Sequence, residues 1–157
     1  MTRIGVTGHQ DLPHDAIDYI IQGIRGVLER RDEVDGYSSL AAGADQIFAT
    51  EVLTAGGRLR VVIPSADYTA TLGGEALVLY NQLLASAFET TQLHFGAPGE
   101  DAYEAAGRWI ATESELLIAV WDGQPARGRG GTADTVAYAR ALDREVNVIW
   151  PDGVTRG

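Results

Sequence analysis

The residues best suited to chemistry stand between Leu116 and Leu142, in the stretch LLIAVWDGQPARGRGGTADTVAYARAL. An apolar run there ends abruptly, a glycine-rich loop follows, and a helical pattern begins at Thr132. The first N–H groups of a helix are unpaired and lie at the positive end of its dipole, so they attract phosphate or another anion. The segment therefore predicts a site for a nucleotide or a phosphosugar. Its predicted ligand contacts are Trp121, Asp122, Gly123, Arg127, Gly128, Arg129, Gly130, Gly131 and Thr132.

Main-chain amides at the end of this loop would hold the phosphate. We expect the N–H groups of Gly131, Thr132 and Ala133 to donate to it, with the Thr132 hydroxyl as a further donor. Arg127 and Arg129 would add positive charge inside the loop. Two alternatives stay open: Thr132 only caps the helix, and the two arginines are solvated loop residues.

Three other side chains of this segment have roles that the sequence leaves open. Asp122 either hydrogen-bonds ribose hydroxyls or starts a turn with Gly123, as Asp-Gly pairs commonly do. Trp121 either belongs to the core or offers a stacking face to a base. Asp134 falls in the first turn of the predicted helix, where a carboxylate would repel a phosphate. It therefore either faces the sugar or only favours the helix dipole.

Two further loops of small residues follow predicted strands, with the sequences Thr7-Gly8-His9-Gln10 and Ala41-Ala42-Gly43-Ala44-Asp45. Glycine lets the backbone turn tightly and approach a ligand closely. The predicted ligand contacts of these loops are Thr7, Gly8, His9, Gly43, Ala44 and Asp45. The alternatives are a plain turn at Gly8, a structural or exposed side chain at His9, and a helix cap or first-turn dipole partner at Asp45.

Strand-like and helix-like segments alternate along the chain and must position these loops. The predicted strands are Arg3–Thr7, Tyr37–Leu40, Leu59–Ile63, Gln92–Phe95, Leu116–Trp121 and Val146–Trp150. The predicted helices are Asp15–Arg31, Asp45–Ala55, Glu75–Phe88, Asp101–Glu113 and Thr132–Leu142. This alternation predicts βαβ units, and hence a Rossmann-like, three-layer α/β/α fold with a mostly parallel sheet of about six strands. All three loops then leave the same carboxyl edge of the sheet, where ligands bind.

Size and composition bound the function classes. A chain of 157 residues predicts one domain, 1–157. No apolar run approaches the ~20 residues that span a bilayer, and the N-terminus does not resemble a signal peptide, so we expect a cytoplasmic protein without a membrane partner. The absence of cysteine excludes a disulfide framework, a thiolate metal site and a cysteine nucleophile. The net charge of −10 disfavours nucleic acid as a partner.

Several catalytic fingerprints are missing from the sequence. It contains no GxxxxGK[ST], no GxGxxG after the first predicted strand, no GxSxG and no His-Glu-x-x-His. The three histidines, His9, His14 and His94, are dispersed. A classical kinase, dehydrogenase, serine hydrolase or zinc hydrolase is therefore disfavoured, and no metal site and no required cofactor are predicted.

Three segments resemble the SLOG superfamily: GVTGHQDL near the start, SSLAAGADQIFATEVL after the second predicted strand, and LLIAVWDGQPARGRGGTADTVAYAR near the end. That superfamily includes the LOG phosphoribohydrolases, the molybdenum-cofactor-carrier-like proteins and the Rossmann-like part of DNA-processing protein A. The late Gly-Gly-Thr segment is similar to the PGGxGTxxE motif of the LOG enzymes. The resemblance implies a Rossmann-like fold, a nucleotide pocket at the glycine loops and a homodimer.

The chain departs from the LOG pattern at both catalytic positions. Where the LOG enzymes carry a glutamate after Gly-Thr, this chain has the shorter Asp134, one position closer. Their arginine on the preceding helix is matched only out of register by Arg108, and Tyr103 or Ala106 stands nearer its place. We therefore predict a module that senses or carries a nucleotide or nucleotide derivative. The alternative is a nucleotide N-glycoside hydrolase of the LOG type, with Asp134 at the ribosyl centre and Arg108, Arg127 or Arg129 on the phosphate.

Overall fold

The structure, a computed structural model, describes residues 1–125 and 131–155. The six strands are β1 (Thr2–Gly8), β2 (Val34–Ser38), β3 (Arg58–Ser65), β4 (Glu89–Phe95), β5 (Leu116–Val120) and β6 (Glu145–Val148). The five α-helices are α1 (Ile17–Glu29), α2 (Ala44–Thr54), α3 (Gly74–Ala85), α4 (Glu100–Glu113) and α5 (Thr132–Ala141). Short 3₁₀ turns cover His14–Ala16 and Tyr68–Thr71.

The strands form one sheet in the order β4-β3-β2-β1-β5-β6, and all five neighbouring pairs are parallel. The chain winds outward from β1 to β4, crosses back, and continues on the other side of β1 with β5 and β6. Right-handed crossovers in opposite directions place α1, α2 and α3 on one face of the sheet and α4 and α5 on the other. The predicted Rossmann-like, three-layer architecture is confirmed, with a fully parallel sheet.

Buried side chains from both faces of the sheet hold the helices. On the first face Ile4 and Val6 of β1 pack with Phe48 of α2 and with the buried stripe of α1. On the second face Leu117 of β5 packs with Ile110 of α4 and with Ala139 of α5. Every residue of β5 is buried, as expected for a strand covered on both faces. These layers fix the positions at which the loops leave the carboxyl edge.

The second strand lies earlier in the chain than the sequence pattern predicts. β2 begins at Val34 and includes Asp35, a residue type that is common in turns. The strand tolerates this carboxylate because it is buried and paired with two arginines of β3. Arg58 Nε donates to Asp35 Oδ1 at 2.8 Å, and Arg60 Nε donates to Asp35 Oδ2 at 3.2 Å. Leu40 is outside the strand, since its φ of 58° is incompatible with extended backbone.

At the ends of several elements the observed bounds differ by a few residues from those that the apolar pattern predicts. α3 ends at Ala85 and not at Phe88, because the Phe88 N–H donates to the Leu59 carbonyl at 2.7 Å and starts β4 pairing. β4 already begins at Glu89, whose carboxylate accepts from Arg60 Nη1 at 3.0 Å. β6 ends at Val148, two residues before the predicted end. None of the helices in the described part of the chain is long and apolar enough to cross a membrane.

Candidate functional site

The strand order reverses between β1 and β5, so the crevice expected for a ligand lies beyond the carboxyl ends of these two strands. β1 ends at Gly8 and β5 ends directly opposite, with Gly8 in register with Val120. The loops that follow β1, β2 and β5 all leave this edge. They are the three loops that the sequence singles out.

Close backbone approach explains the glycines in the first two loops. A Cβ built on Gly8 would lie 2.4 Å from the Cβ of Ala44 and 2.8 Å from the Cβ of Val120. A Cβ built on Gly43 would lie 2.3 Å from the carbonyl oxygen of Gln10, and the φ of Gly43 is 82°. The Ala44 N–H donates to the His9 carbonyl at 3.2 Å. The β1 and β2 loops are therefore in direct contact, and only glycine fits at their junction.

His9 joins the first loop to the third. Its main-chain N–H donates to the Val120 carbonyl at 3.2 Å, and its side-chain Nε2 accepts the N–H of Asp122 at 3.1 Å. The Asp122 Oδ1 atom lies 3.3 Å from the same nitrogen. The ring also meets Trp150 edge-on, with centroids 5.4 Å apart. Because His9 is only 6% exposed, it holds the loops together from within the edge.

The third loop turns immediately after β5. Gly123 has a φ of 83°, and the N–H of Gln124 donates to Asp122 Oδ1 at 3.0 Å, which is the Asp-Gly turn predicted as one alternative. Trp121 is half-buried and its Nε1 donates to the Gln124 carbonyl at 2.8 Å, so it lies outside the core clusters. The predicted contacts Arg127, Gly128, Arg129 and Gly130 lie outside the described residues.

The start of α5 carries no side-chain cap. Gly131 is the N-cap residue and Thr132 is the first helical residue, so no side chain of the cap accepts a hydrogen bond from the N–H groups of the first turn. The alternative in which Thr132 only caps the helix is therefore wrong. Thr132 is buried, and the Thr135 N–H donates to the Gly131 carbonyl at 3.1 Å. The amides at this helix start face the carboxyl edge, beside the end of β5.

The turn between β2 and α2 is held in an unusual conformation. Leu40 adopts a φ of 58°, which costs a branched residue about 1–2 kcal/mol. The Ser38 hydroxyl accepts the Leu40 N–H at 3.0 Å and donates to the Asp45 carbonyl at 3.1 Å. Gln46 Nε2 donates to the Leu40 carbonyl at 3.2 Å. Strained backbone that its surroundings hold so firmly is typical of a functional edge.

Asp45 faces this turn from the first turn of α2. Its Oδ2 accepts the N–H of Ala41 at 3.3 Å, and the N–H of Ser39 also hydrogen-bonds the carboxyl group. Burial raises the pKa of Asp45 to about 7, although both hydrogen bonds act in the opposite direction. The N-cap of α2 is Gly43 and Asp45 is the acidic residue of the first turn, so of the predicted alternatives the cap is wrong and the first-turn position is confirmed. The carboxyl group braces the turn that precedes the helix.

Arg108 and Asp134, the two predicted catalytic residues, line one cavity of about 410 Å³ between α4 and α5. The Arg108 guanidinium lies 4.8 Å from the centroid of the Tyr138 ring, and its Nη2 lies 3.8 Å from Glu104 Oε1. The cavity is on the outer helical layer, whereas His9 and the two loop glycines lie at the sheet edge. Asp134 is exposed and stands two residues after Thr132.

Positive charge is distributed unevenly around the sheet. In residues 1–125 and 131–155, no loop at the carboxyl edge contains an arginine, although these loops contain Asp11, Asp67, Asp122 and Asp152. The described arginines belong to the starts of strands, the later halves of helices, or the loops at the opposite edge. A phosphate at the carboxyl edge would therefore depend on main-chain amides and on whatever Arg127 and Arg129 supply.

Sequence reasoning missed a second group of side chains at the same edge. Ser39 and Ser65 end or follow β2 and β3, are buried, and their Oγ atoms have no hydrogen-bond partner among the described residues. Tyr68 follows Ser65 in the chain, at the start of the short 3₁₀ turn after β3, and burial raises the pKa of its hydroxyl, with the negative charge of Asp45 as a further cause. The double serine in SSLAAGAD was the only signal for this group in the sequence. Among the described residues, no group of three or more acidic or histidine side chains could hold a metal ion.

Comparison with known proteins supports the fold. No protein-family model matches the chain, and no curated protein matches its sequence. DNA processing protein A from Streptococcus pneumoniae is a structural neighbour with a TM-score of 0.72 and 18% identity, covering 99% of this chain and 53% of its own. The molybdenum cofactor carrier protein from Chlamydomonas reinhardtii has a TM-score of 0.59 and 19% identity, covering 94% and 75%. The protein TM1055 has a TM-score of 0.59 and 14% identity, and the match covers 93% of this chain and 72% of TM1055.

These structural neighbours share the architecture of this chain over more than nine-tenths of its length, so the fold implied by the resemblance is confirmed. The chain spans about half the length of the pneumococcal protein. A second DNA processing protein A, from Helicobacter pylori, is described with a single-stranded DNA binding mode and has a TM-score of 0.67 at 14% identity, covering 94% of this chain and 64% of its own. The neighbours thus bind different ligands on one fold, and the site itself must decide the function.

Proposed function

We propose that this protein binds a nucleotide or a nucleotide-derived small molecule at the carboxyl edge of the sheet, as a sensor or a carrier. The observation that carries the proposal is the junction at His9, through which the loops after β1, β2 and β5 meet at the topological switch point. Open parallel sheets bind their ligands in this crevice. The neighbour described as a molybdenum cofactor carrier supports a carrier role on this fold.

Main-chain groups supply the recognition in this proposal. The amides at Gly131 and Thr132 lie at the uncapped start of α5, where the helix dipole favours negative charge. Gly8 and Gly43 let the β1 and β2 loops pack directly against each other at this edge, because a Cβ at either position would clash with neighbouring protein atoms. Since the described loops at this edge carry no arginine, we propose that Arg127 and Arg129 neutralise the phosphate.

Calorimetric titration with AMP, ADP-ribose, cyclic AMP and NAD tests the proposal. We expect at least one of these compounds to bind with a Kd below roughly 1 mM. The double variant R127A/R129A should lose roughly tenfold or more in affinity, because a charge-assisted contact to phosphate is removed. The matched control is R30A/R31A, which removes an arginine pair at the opposite edge and should leave the affinity unchanged. Failure of the unmodified protein to bind any compound of the panel would overturn the proposal.

The cavity between α4 and α5 favours a second candidate, a nucleotide N-glycoside hydrolase. There Asp134 would stabilise an oxocarbenium-like ribosyl centre and Arg108 would contact the phosphate. We expect Asp134→Ala to abolish release of free base from a nucleoside monophosphate, with E104Q as a control within the same cavity. If the unmodified protein releases no base above the blank without protein, this candidate is rejected and the binding proposal stands.

A further inference from the structure

The carboxyl ends of β2 and β3 carry a polar and aromatic group that phosphate binding leaves unused. We call it the β2–β3 cluster, and its members are Ser39, Asp45, Ser65, Tyr68 and Tyr103. It lies on the same edge as the His9 junction, displaced from β5 past β1 toward β3. Neighbouring strands are about 4.8 Å apart, so the distance from β5 to β3 is roughly 14 Å. A nucleoside monophosphate extends over a comparable distance.

Two tyrosines from opposite faces of the sheet meet in this cluster. Tyr103 belongs to α4 on the second face, whereas Tyr68 packs with Leu40 and Tyr80 in a core cluster of the first face. The Tyr68 and Tyr103 ring centroids are 6.4 Å apart at an interplanar angle of 68°. Side chains from the two layers can touch only beyond the strand ends, so these rings lie above the carboxyl edge. Tyr103 is the partly exposed member, and Tyr68 behind it is buried.

The cluster also contains hydrogen-bonding capacity that the protein does not use. Ser39 is 7% exposed and Ser65 is fully buried, and the described residues provide neither Oγ with a partner. Ser39 directly follows β2, and Tyr37 of that strand packs in one cluster with Ala106 and Ile110 of α4, the helix that carries Tyr103. A buried hydroxyl without a partner costs free energy, which a ligand group can recover by pairing with it.

Charge decides which part of a ligand fits here. Among the described residues, no arginine belongs to the loops at this edge, and the carboxyl group of Asp45 is buried within the cluster. A phosphate here would find no arginine among the described residues of these loops and would lie near the Asp45 carboxyl group, so it is disfavoured. An uncharged aromatic ring with donors and acceptors on its rim would stack on a tyrosine and pair with the serine hydroxyls.

We propose that the β2–β3 cluster is the compartment for the heterocyclic base of the bound nucleotide, with Tyr103 as the stacking residue and Ser39 as the residue that reads the base edge. The inference rests on the proposed function, because the phosphate end is assigned to the start of α5. The inference also orients the ligand along the carboxyl edge. The phosphate would lie beyond the end of β5, the sugar beyond β1, and the base beyond β2 and β3. Base selectivity then depends on α4 and on the β2–α2 turn.

Titrations with AMP, GMP, CMP and UMP, and with ribose 5-phosphate as the base-free probe, test this compartment. We expect Tyr103→Ala to weaken the best-bound nucleotide by roughly tenfold or more, the usual range for losing one base–aromatic stack. Binding of ribose 5-phosphate should be unchanged, and Tyr103→Phe should retain the affinity because the ring is kept. Ser39→Ala should reduce the preference among the four bases. The matched controls, F88A and S86A, change the same residue classes at the opposite edge.

The outcomes separate the two proposals. If the unmodified protein binds a nucleotide and Tyr103→Ala leaves its affinity unchanged, or weakens ribose 5-phosphate by the same factor, the base compartment is overturned while nucleotide binding stands. Equal affinity for ribose 5-phosphate and all four nucleotides would also overturn it. Failure to bind any of the five probes would overturn this inference, and the proposed function falls with it when ADP-ribose, cyclic AMP and NAD also fail to bind. Circular dichroism of each variant confirms that a loss of affinity is not a loss of fold.

Discussion

Asp45 shows what a single residue type can and cannot reveal. From the sequence, an aspartate just after a glycine at a helix start predicts either a cap or a ligand contact. In the structure the carboxyl group turns back and accepts main-chain N–H groups of the preceding turn. The helix-start position could be predicted, because it depends on local sequence. The burial could not, because it depends on α3 and on Tyr68, which come from later segments of the chain.

Burial of Asp45 predicts a pH-dependent stability. The folded state raises the pKa of this carboxyl group from 3.8 to about 7, so between these values the folded protein holds a proton that the unfolded chain has released. The contribution of Asp45 to the free energy of unfolding should therefore be largest below about pH 4, fall as the pH rises toward 7, and level off above it. Urea denaturation of the wild type and of Asp45→Asn across this range measures the effect.

The difference between the two proteins isolates the contribution of Asp45. We expect the stability of the wild type relative to Asp45→Asn to decline with rising pH, because the amide cannot ionise. Asp134→Asn removes an exposed carboxyl group as a control and should leave the pH profile of the wild type unchanged. Parallel profiles for the wild type and Asp45→Asn would contradict the prediction.

At the scale of elements, local sequence predicts the position of α2 better than that of β2. α2 could be predicted from Phe48 and Val52 at helical spacing and from the glycines that follow it. β2 was placed late, since Asp35 and Gly36 resemble a turn until Arg58 and Arg60 are brought beside them by pairing with β3. Long-range neutralisation of this kind leaves no trace in local sequence.

Gly43 should be intolerant of any side chain. Its φ of 82° is unfavourable for other residues, and a new Cβ would lie within 2.8 Å of three backbone atoms of the β1 loop. We expect Gly43→Ala to destabilise the fold by about 1–3 kcal/mol and to weaken nucleotide binding. Gly26→Ala is the matched control: it lies within α1 with no atom near the new Cβ, and should stabilise the protein by about 0.5–1 kcal/mol. Thermal unfolding compares the two variants. Equal melting temperatures would contradict the prediction that only glycine fits where the β1 and β2 loops meet.

For the whole molecule, the arrangement of charge matters more than its sum. The net charge of −10 is visible in composition, and it predicts repulsion of polyphosphates. The topology adds that the described arginines lie away from the carboxyl edge, where aspartates occupy the loops. The sequence alone could not show this segregation, because it follows from which end of each element meets which edge. One phosphate near Arg127 and Arg129 is compatible with this field, whereas a row of phosphates is not.

This distribution of charge predicts that the protein binds single-stranded DNA only weakly, unlike the neighbour that is described with a single-stranded DNA binding mode. Phosphate contacts dominate nucleic-acid affinity, and most of that affinity comes from arginine and lysine side chains, which the described part of the carboxyl edge does not offer. We expect fluorescence anisotropy with a labelled oligothymidine to show a Kd weaker than roughly 10⁻⁴ M near physiological salt, while AMP still binds. Lowering the salt should strengthen binding only slightly, since few counterions are released. A submicromolar Kd with a steep salt dependence would contradict the prediction. It would show that the protein binds a polyanion although the described loops at the carboxyl edge contain aspartates and no arginine.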